Sequence, residues 1–380
     1  MPTISLAGLS DFLLPIDTQR LSGDEGFRPT QLGRHILANE GELPVLDGAD
    51  IVIVGCGESR GAFGAKIDDA TANAVREQFY RLYQWHDDIQ VADLGNIPSG
   101  LTMQDTYAAL SAVLKEIIPS GKKVVILGGS HDLTTAQYES YAALNQIIEA
   151  VCVDARIDMD VDSPLPSDNF LLPLFTREPN FLRQYNHIGF QSYMVHPGML
   201  QTVDKLGFDC FRVGKVKEKI EEMEPVIRAS DMMSFDIAAI GHAYAPANTF
   251  TPNGLNGEEA CSLMQYAGLS SKISTVGIYG YKQEEDHHCM TAKQISHMLW
   301  YLMDGIHQNK EEQPIASKDH YNEFHLCFAE MDARFLQSRI SGRWWMEVPH
   351  SGFVPCSQRD YIQAARNEIP ERWLRAIGRM

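Results

Sequence analysis

Short runs of β-branched and aliphatic residues recur along this chain, and most are followed by a segment with helical spacing. Residues 51–54 form one such run, which ends at Gly55, and residues 124–127 form another, which ends at Gly128. Apolar runs of this length are typical of strands that are buried on both faces. Strands that alternate with helices indicate a parallel sheet with helices on each side. The sequence therefore predicts a three-layer α-β-α fold with a mostly parallel central sheet.

The same pattern of apolar runs and helical spacing predicts the individual strands and helices and the domain organisation. Predicted strands cover residues 51–54, 89–94, 124–127, 148–153, 187–190, 209–213, 232–237 and 273–278, and the main predicted helices cover 70–85, 101–117, 257–267 and 291–308. No internal repeat or low-complexity linker interrupts this pattern, so we expect one α/β core over residues 49–310. Residues 1–48 form an N-terminal extension, and residues 311–380 form a C-terminal appendage packed on the core.

Charge and cysteine content exclude several classes of function. The formal net charge is -18, which disfavours binding to nucleic acid or to an anionic membrane. No apolar run reaches the roughly 18–20 residues needed to cross a bilayer, and residues 1–19 lack the basic start of a secretory signal. The seven cysteines form no CxxC pair, which argues against a disulfide framework and a thiolate zinc site. We expect a cytoplasmic protein.

Candidate ligand residues stand where three predicted strands end. His131 follows one strand, Asp154 and Asp158 follow another, and Asp236 lies at the end of a third. In parallel sheets, ligands bind just beyond the carboxyl ends of the strands. Carboxylate oxygens together with one imidazole suit Mn²⁺ or a similar divalent ion. The alternative is that the aspartates cap helices and the histidine packs locally.

These strand ends carry three motifs that resemble those of the ureohydrolase family, which includes arginase, agmatinase and formiminoglutamase. The family patterns are GGDHS, DAHxD and SFDxD, and this chain has GGSHD at 128–132, DARID at 154–158 and SFDIA at 234–238, in the same order. The resemblance extends over residues 49–310 and is nearest to formiminoglutamase-like chains with an added C-terminal segment. It implies an arginase-like fold and a hydrolase of linear amidine C–N bonds that uses two Mn²⁺ ions.

The resemblance also assigns metal ligands by motif position. The first ion would be held by four residues that are all present: His131, Asp154, Asp158 and Asp236. The second ion would share two of these aspartates and take two further ligands, but those positions hold Arg156 and Ala238.

Both changes oppose a second ion. Arg156 has a permanent positive charge and no lone pair to donate, and Ala238 has no carboxylate. Two like unit charges about 4 Å apart repel each other by about 4 kcal/mol at an effective dielectric constant of roughly 20, and a dication doubles this repulsion. We therefore expect zero or one Mn²⁺ per chain.

Two positions that the family uses for substrate and for proton transfer are also changed. Gly280 stands where the family has a glutamate that binds the amidine nitrogens of the substrate, although Glu284, Glu285 and Asp286 follow closely. Leu171 stands where arginase has a proton-shuttling histidine.

Two functions therefore remain open at the level of sequence. One is a Mn-dependent hydrolase acting on a linear amidine, such as formiminoglutamate or a guanidino compound. The other, slightly favoured, is a non-catalytic or weakly active member of the family that binds a small amidine or amino-acid-like ligand. The resemblance further suggests a homo-oligomer.

Overall fold

A computed structural model describes residues 8–64 and 67–378, so residues 1–7 of the predicted extension and the last two residues of the predicted appendage lie outside the described part. The strands are β1 (Leu37–Ala38), β2 (Ile51–Cys56), β3 (Val91–Ile97), β4 (Lys123–Gly128), β5 (Ile148–Val153), β6 (Leu182–Phe190), β7 (Asp209–Arg212), β8 (Met232–Asp236), β9 (Thr275–Tyr279), β10 (Tyr321–Phe328), β11 (Met331–Ser338), β12 (Trp344–Val348) and β13 (Gly352–Cys356).

The helices alternate with the strands over most of the chain. They are α1 (Thr18–Ser22), α2 (Thr71–Phe79), α3 (Met103–Ile117), α4 (Thr134–Ala143), α5 (Pro166–Asn169), α6 (Leu171–Thr176), α7 (Pro197–Lys205), α8 (Val213–Glu218), α9 (Met223–Ala229), α10 (Gly257–Leu269), α11 (Met290–Glu311), α12 (Gln358–Ala365) and α13 (Glu371–Gly378). Helix α3 begins at a capping box in which Thr102 and Asp105 satisfy each other's backbone N–H groups, and Asn256 with Glu259 does the same for α10.

Strands β1 to β9 form one sheet in the order β1-β3-β2-β4-β9-β8-β5-β6-β7, and all its neighbouring strands are parallel. Alternate residues of the inner strands enter two different hydrophobic clusters, as Ile51 and Ile53 do on one face and Val52 and Val54 on the other. Helices α2, α10 and α11 pack on the first face, and α3 and α4 pack on the second. The predicted α-β-α fold is confirmed.

The helix predicted over residues 70–85 is too long at its C-terminal end, because α2 stops at Phe79. The residues that follow leave the helix to pair with the N-terminal segment: the N–H of Leu32 donates to the carbonyl of Leu82, and the N–H of Gln84 donates to that of Thr30. Tertiary pairing therefore overrides local helical spacing here. The N-terminal segment also supplies β1, a two-residue edge strand that the sequence did not reveal.

After α11 the chain forms a separate antiparallel sheet in the order β10-β11-β12-β13. Trp344 stacks on Tyr361 of α12 with ring centroids 4.8 Å apart, inside a hydrophobic cluster of this sheet's own. Trp345, the next residue, lies over the guanidinium of Arg228 on α9 at 4.3 Å, and Arg228 Nη2 donates to the carbonyl of Trp344. The sheet is thus anchored to the core through Arg228.

Among the residues that the structure describes, no helix has the length and apolar character required to cross a membrane.

A buried ion pair fixes α2 against the sheet and predicts a stability effect. Arg76 Nε donates to Asp93 Oδ2 at 2.8 Å and Nη2 donates to Asp93 Oδ1 at 2.9 Å, with both side chains inaccessible to solvent. Because Arg76→Ala leaves the Asp93 charge buried and unpaired, we expect the free energy of unfolding to fall by about 3–5 kcal/mol in chemical denaturation.

The control for this prediction is the exposed ion pair between Arg81 and Glu77 nearby. Arg81→Ala removes the same side-chain type at the surface, so the loss should stay within about 1 kcal/mol. Equal losses in the two variants would contradict the assigned role of the Arg76–Asp93 pair.

Candidate metal centre

The sheet order brings the predicted ligands together. Strands β4, β9, β8 and β5 are consecutive neighbours in the sheet, although they are far apart along the chain. Because the strands are parallel, their carboxyl ends meet at one edge, and His131, Asp154 and Asp236 all lie there. One ligand atom from each of these three residues lies within 4.8 Å of the other two, and all three residues are buried.

Nδ1 of the His131 ring faces the carboxylates. It lies 3.4 Å from Asp154 Oδ2, 3.5 Å from Asp236 Oδ2 and 3.0 Å from Asp158 Oδ2. Asp158 is therefore in contact with the cluster, although it is not among the three residues whose ligand atoms converge within 4.8 Å. The structure places the three predicted aspartates within contact of one imidazole nitrogen of the fourth predicted ligand, His131.

The opposite nitrogen of the same ring is held by a residue that the sequence analysis did not single out. Nε2 of His131 lies 2.7 Å from Oγ of Ser234, and Thr134 Oγ1 lies 2.7 Å from the same hydroxyl. A hydrogen bond to the far nitrogen is the usual way in which a metal-binding histidine is oriented. Ser234 is the first residue of the SFDIA motif, so its position in that motif was the available signal.

The donor set fits a divalent cation. Oδ1 of Asp154 is buried and accepts no hydrogen bond from any described residue. A buried carboxylate oxygen without a donor carries a desolvation cost, which a bound cation would remove. Three carboxylates and one imidazole suit Mn²⁺ by ligand type.

The electrostatics of the cluster also favour a cation. Burial, together with repulsion from the Asp154 carboxylate, raises the pKa of Asp236 to about 6. Its Oδ1 accepts a hydrogen bond from the backbone N–H of Ala238 at 2.7 Å, which offsets part of this penalty. The carboxylates thus need positive charge beside them.

Arg156 supplies one fixed positive charge at this edge of the sheet. Its Nη1 donates to Asp168 Oδ1 at 3.0 Å, its Nη2 lies 3.4 Å from Asp158 Oδ1, and its guanidinium lies 4.4 Å from the ring centroid of Phe250. Burial alone would lower the pKa of Arg156, but the carboxylates of Asp158 and Asp154 outweigh it and hold the pKa above its ordinary value. The guanidinium stays charged and spans from the buried Asp158 to the half-buried Asp168.

Ala238 and Gly280 are both packed against Asp236. Ala238 is buried and offers the cluster only its backbone N–H. Gly280 has φ +80°, and a Cβ there would lie 2.5 Å from Oδ1 of Asp236. This backbone conformation leaves no room for a side chain at position 280.

The acidic residues that follow Gly280 in the sequence do not place a carboxylate at its position. Glu284 and Glu285 are exposed. Asp286 accepts hydrogen bonds from the backbone N–H groups of Thr291 and Ala292, so it caps the start of α11.

Leu171 is buried in α6 among hydrophobic residues and has no group that transfers protons. Its neighbour Phe170 packs edge-on against the His131 ring, with centroids 4.7 Å apart.

Residues 49–304 match the sequence profile of the arginase family. The chain belongs to the arginase family. Since the match covers well over half of the chain, the resemblance inferred from the three motifs is confirmed.

Solved structures of ureohydrolases share the fold. A Trypanosoma cruzi formiminoglutamase determined with Mn²⁺ superposes with a TM-score of 0.62 at 16% identity, covering 68% of this chain and 94% of that one. A formimidoylglutamase from Bacillus subtilis gives a TM-score of 0.64 at 15% identity, with 73% and 92% covered. An agmatine ureohydrolase from Thermoplasma volcanium gives 0.60 at 19% identity, with 76% and 98% covered. No curated protein sequence matches the chain.

The close contact at Gly280 predicts an effect on the metal centre. In Gly280→Ala the new methyl group must displace the Asp236 carboxylate or the backbone, because the two cannot coexist at 2.5 Å. We expect Mn²⁺ affinity, measured by calorimetry, to fall at least about tenfold, as is common when a group that positions a ligand is lost.

Gly121→Ala is the matched control, since Gly121 has a similar φ of +73° but nothing lies within 4 Å of the built Cβ. Both variants should lose about 1–2 kcal/mol of stability from the left-handed backbone. Only Gly280→Ala should lose metal affinity, and unchanged affinity in that variant would contradict the role given to the contact between Gly280 and Asp236.

Proposed function

We propose that this arginase-family chain binds no more than one Mn²⁺ per chain, through His131, Asp154, Asp158 and Asp236, and acts as a non-catalytic or weakly active member of the family. The observation that carries the proposal is the position of Arg156, whose guanidinium is 3.4 Å from Asp158 and stays charged. A second ion bound at Asp154 and Asp236 would meet the fixed positive charge of Arg156, which lies beside Asp158.

The contacts of Arg156 explain why it would resist displacement. Asp168 and Asp158 hold the two ends of the guanidinium, and Phe250 covers its face. A second dication near these carboxylates would have to overcome repulsion from Arg156 as well as the absence of a ligand at Ala238.

The loss of the family's substrate carboxylate at position 280 supports the same proposal. Gly280 is packed so closely on Asp236 that it has no space for a side chain that could bind an amidine. Because Asp158 and Asp168 already engage the guanidinium of Arg156, a small amidine or amino-acid-like ligand would be recognised by other groups.

We also propose that the protein is a cytoplasmic homo-oligomer. All seven cysteines are free thiols, which is the state that a reducing compartment maintains. Most soluble assemblies of a single chain type are symmetric homo-oligomers.

The metal content tests the proposal directly. Protein purified without chelators should contain at most one Mn²⁺ per chain by elemental analysis, and the double variant Arg156→His with Ala238→Asp should raise the stoichiometry towards two. The reason is that the double change removes a fixed charge and restores two donors.

Two control variants separate charge from ligand donation. Arg156→Leu removes the charge without adding a donor and should leave no more than one ion, while Asp154→Asn should lower the affinity of the remaining ion. Two tightly bound Mn²⁺ ions in the unaltered protein would refute the proposal, and an unchanged Mn²⁺ stoichiometry in the double variant would refute the role given to Arg156.

A second candidate function is hydrolysis of a linear amidine with a single ion. The retained donor set and the unpartnered Asp154 Oδ1 favour it. A Mn²⁺ ion held there would lower the pKa of bound water and polarise the substrate. The chain itself would fix the ion through Asp154 and Asp236 and hold His131 in place through Ser234.

Release of formamide or urea distinguishes the two functions. The Mn²⁺-loaded protein should be assayed against formimino and guanidino compounds, with Asp236→Asn as the control that lacks a ligand. Our proposal expects no turnover, or turnover far below that of the Arg156→His/Ala238→Asp variant. Robust turnover that Asp236→Asn abolishes would establish the hydrolase instead.

A further inference from the structure

A second group of metal-binding side chains lies far from the carboxyl edge of the sheet. It consists of His86 and Asp88, in the segment between α2 and β3, and His307 near the end of α11. One ligand atom from each residue lies within 4.8 Å of the other two. The imidazole rings of His86 and His307 stack with centroids 4.2 Å apart and planes 19° apart, so one ring has to turn out of the stack for both to bind one ion through their in-plane lone pairs.

A carboxylate contacts each ring, and of the two only Asp304 lies outside the proposed ligand group. Nδ1 of His307 lies 2.7 Å from Oδ1 of Asp88, and Nε2 of His86 lies 3.0 Å from Oδ1 of Asp304. Asp304 is itself fixed, because its Oδ2 accepts hydrogen bonds from Gln265 at 2.6 Å and from Gln308 at 2.7 Å. Metal-binding imidazoles are commonly oriented by a carboxylate that accepts a hydrogen bond from the ring and is itself fixed by other donors.

We propose that His86, Asp88 and His307 form a surface site for Zn²⁺ or a similar borderline transition metal. Two imidazole nitrogens and one carboxylate suit Zn²⁺, Co²⁺ or Ni²⁺ better than Mn²⁺, which prefers oxygen-rich sites. The histidines are half-buried and Asp88 is more exposed, so an ion can enter from solvent and keep a water ligand. This site differs in chemistry from the oxygen-rich cluster of His131, Asp154 and Asp236.

The ion would join the segment after α2 to the last helix of the core. That junction also contains polar contacts, such as the bond from Trp300 Nε1 to the carbonyl of Tyr83 at 3.3 Å. A ligand that binds only the folded state stabilises it in proportion to its concentration. Zn²⁺ should therefore raise the melting temperature through this site.

The ammonium group of Lys310 competes with a metal ion for the carboxylate of Asp88. Its Nζ lies 3.6 Å from Oδ2 of Asp88 and 2.8 Å from Oδ1 of Asp50, and it also donates to the backbone carbonyl of Asp88. An ion bound to Asp88 would be repelled by this ammonium. Removing the lysine charge should therefore strengthen binding.

The first experiment measures Zn²⁺ binding by calorimetry and Co²⁺ binding by visible absorption in the full-length protein. His307→Ala should lose one Zn²⁺ equivalent, or weaken its binding at least about tenfold, and should lose the zinc-dependent rise in melting temperature. His297→Ala removes an exposed histidine from the same helix and should bind as the unaltered protein does. Equal zinc stoichiometry and affinity in the unaltered protein and in His307→Ala would overturn the proposal.

The second experiment uses Lys310→Gln. Zn²⁺ affinity should rise roughly two- to fivefold, the range expected for the removal of one exposed charge. No rise would overturn the assignment of Asp88 as a ligand. Mn²⁺ binding at the buried cluster should be the same in His307→Ala and in the unaltered protein, so this proposal can fail without affecting the proposed function.

Discussion

The burial of three carboxylates at one edge of the sheet is the constraint on which the other contacts of this site depend. Asp154, Asp158 and Asp236 all touch the same nitrogen of His131, and burial beside Asp154 raises the pKa of Asp236 to about 6. Such a group is costly unless positive charge lies nearby. The guanidinium of Arg156 supplies such a charge beside Asp158, and a divalent ion bound at His131, Asp154 and Asp236 would supply another.

The fold creates this constraint because of its strand order. Neighbouring strands β4, β9, β8 and β5 come from distant parts of the chain, and their parallel alignment brings His131, Asp154, Asp236 and Gly280 to one edge. The absence of a side chain at Gly280 is what leaves room for the Asp236 carboxylate. Arg156 adds positive charge beside Asp158, and neither Ala238 nor Gly280 contributes a carboxylate beside Asp236.

Among the residues that the structure describes, the two groups that could hold a metal ion differ in ligand type and in setting. The buried group is rich in oxygen and is held by the central sheet, whereas the group formed by His86, Asp88 and His307 is rich in nitrogen and lies at the surface. These differences predict different metal preferences, since carboxylates favour Mn²⁺ and imidazoles favour Zn²⁺. One chain could therefore hold a functional ion in its core and a structural ion at its periphery.

Much of the fold and of the buried site followed from the sequence alone. Apolar runs marked the inner strands, and the motifs at their ends indicated His131 and its three aspartates before any contact was known. The antiparallel C-terminal sheet was missed, although Phe324, Leu326 and Phe328 alternate with polar or small residues as in a half-buried strand. This alternation is a local feature of the sequence, so strand β10 could have been predicted from it.

Other features depended on residues that only tertiary structure brings together. No local pattern shows that Arg156 lies between Asp158, Asp168 and Phe250. Nor does one show that the rings of His86 and His307, which are far apart in the sequence, stack on each other. The sequence by itself determined the inner strands of the central sheet and the ligand types at their ends, because periodicity and strand ends are local properties. Tertiary structure decided which charges face each other, because strand order and helix packing set those distances across the whole chain.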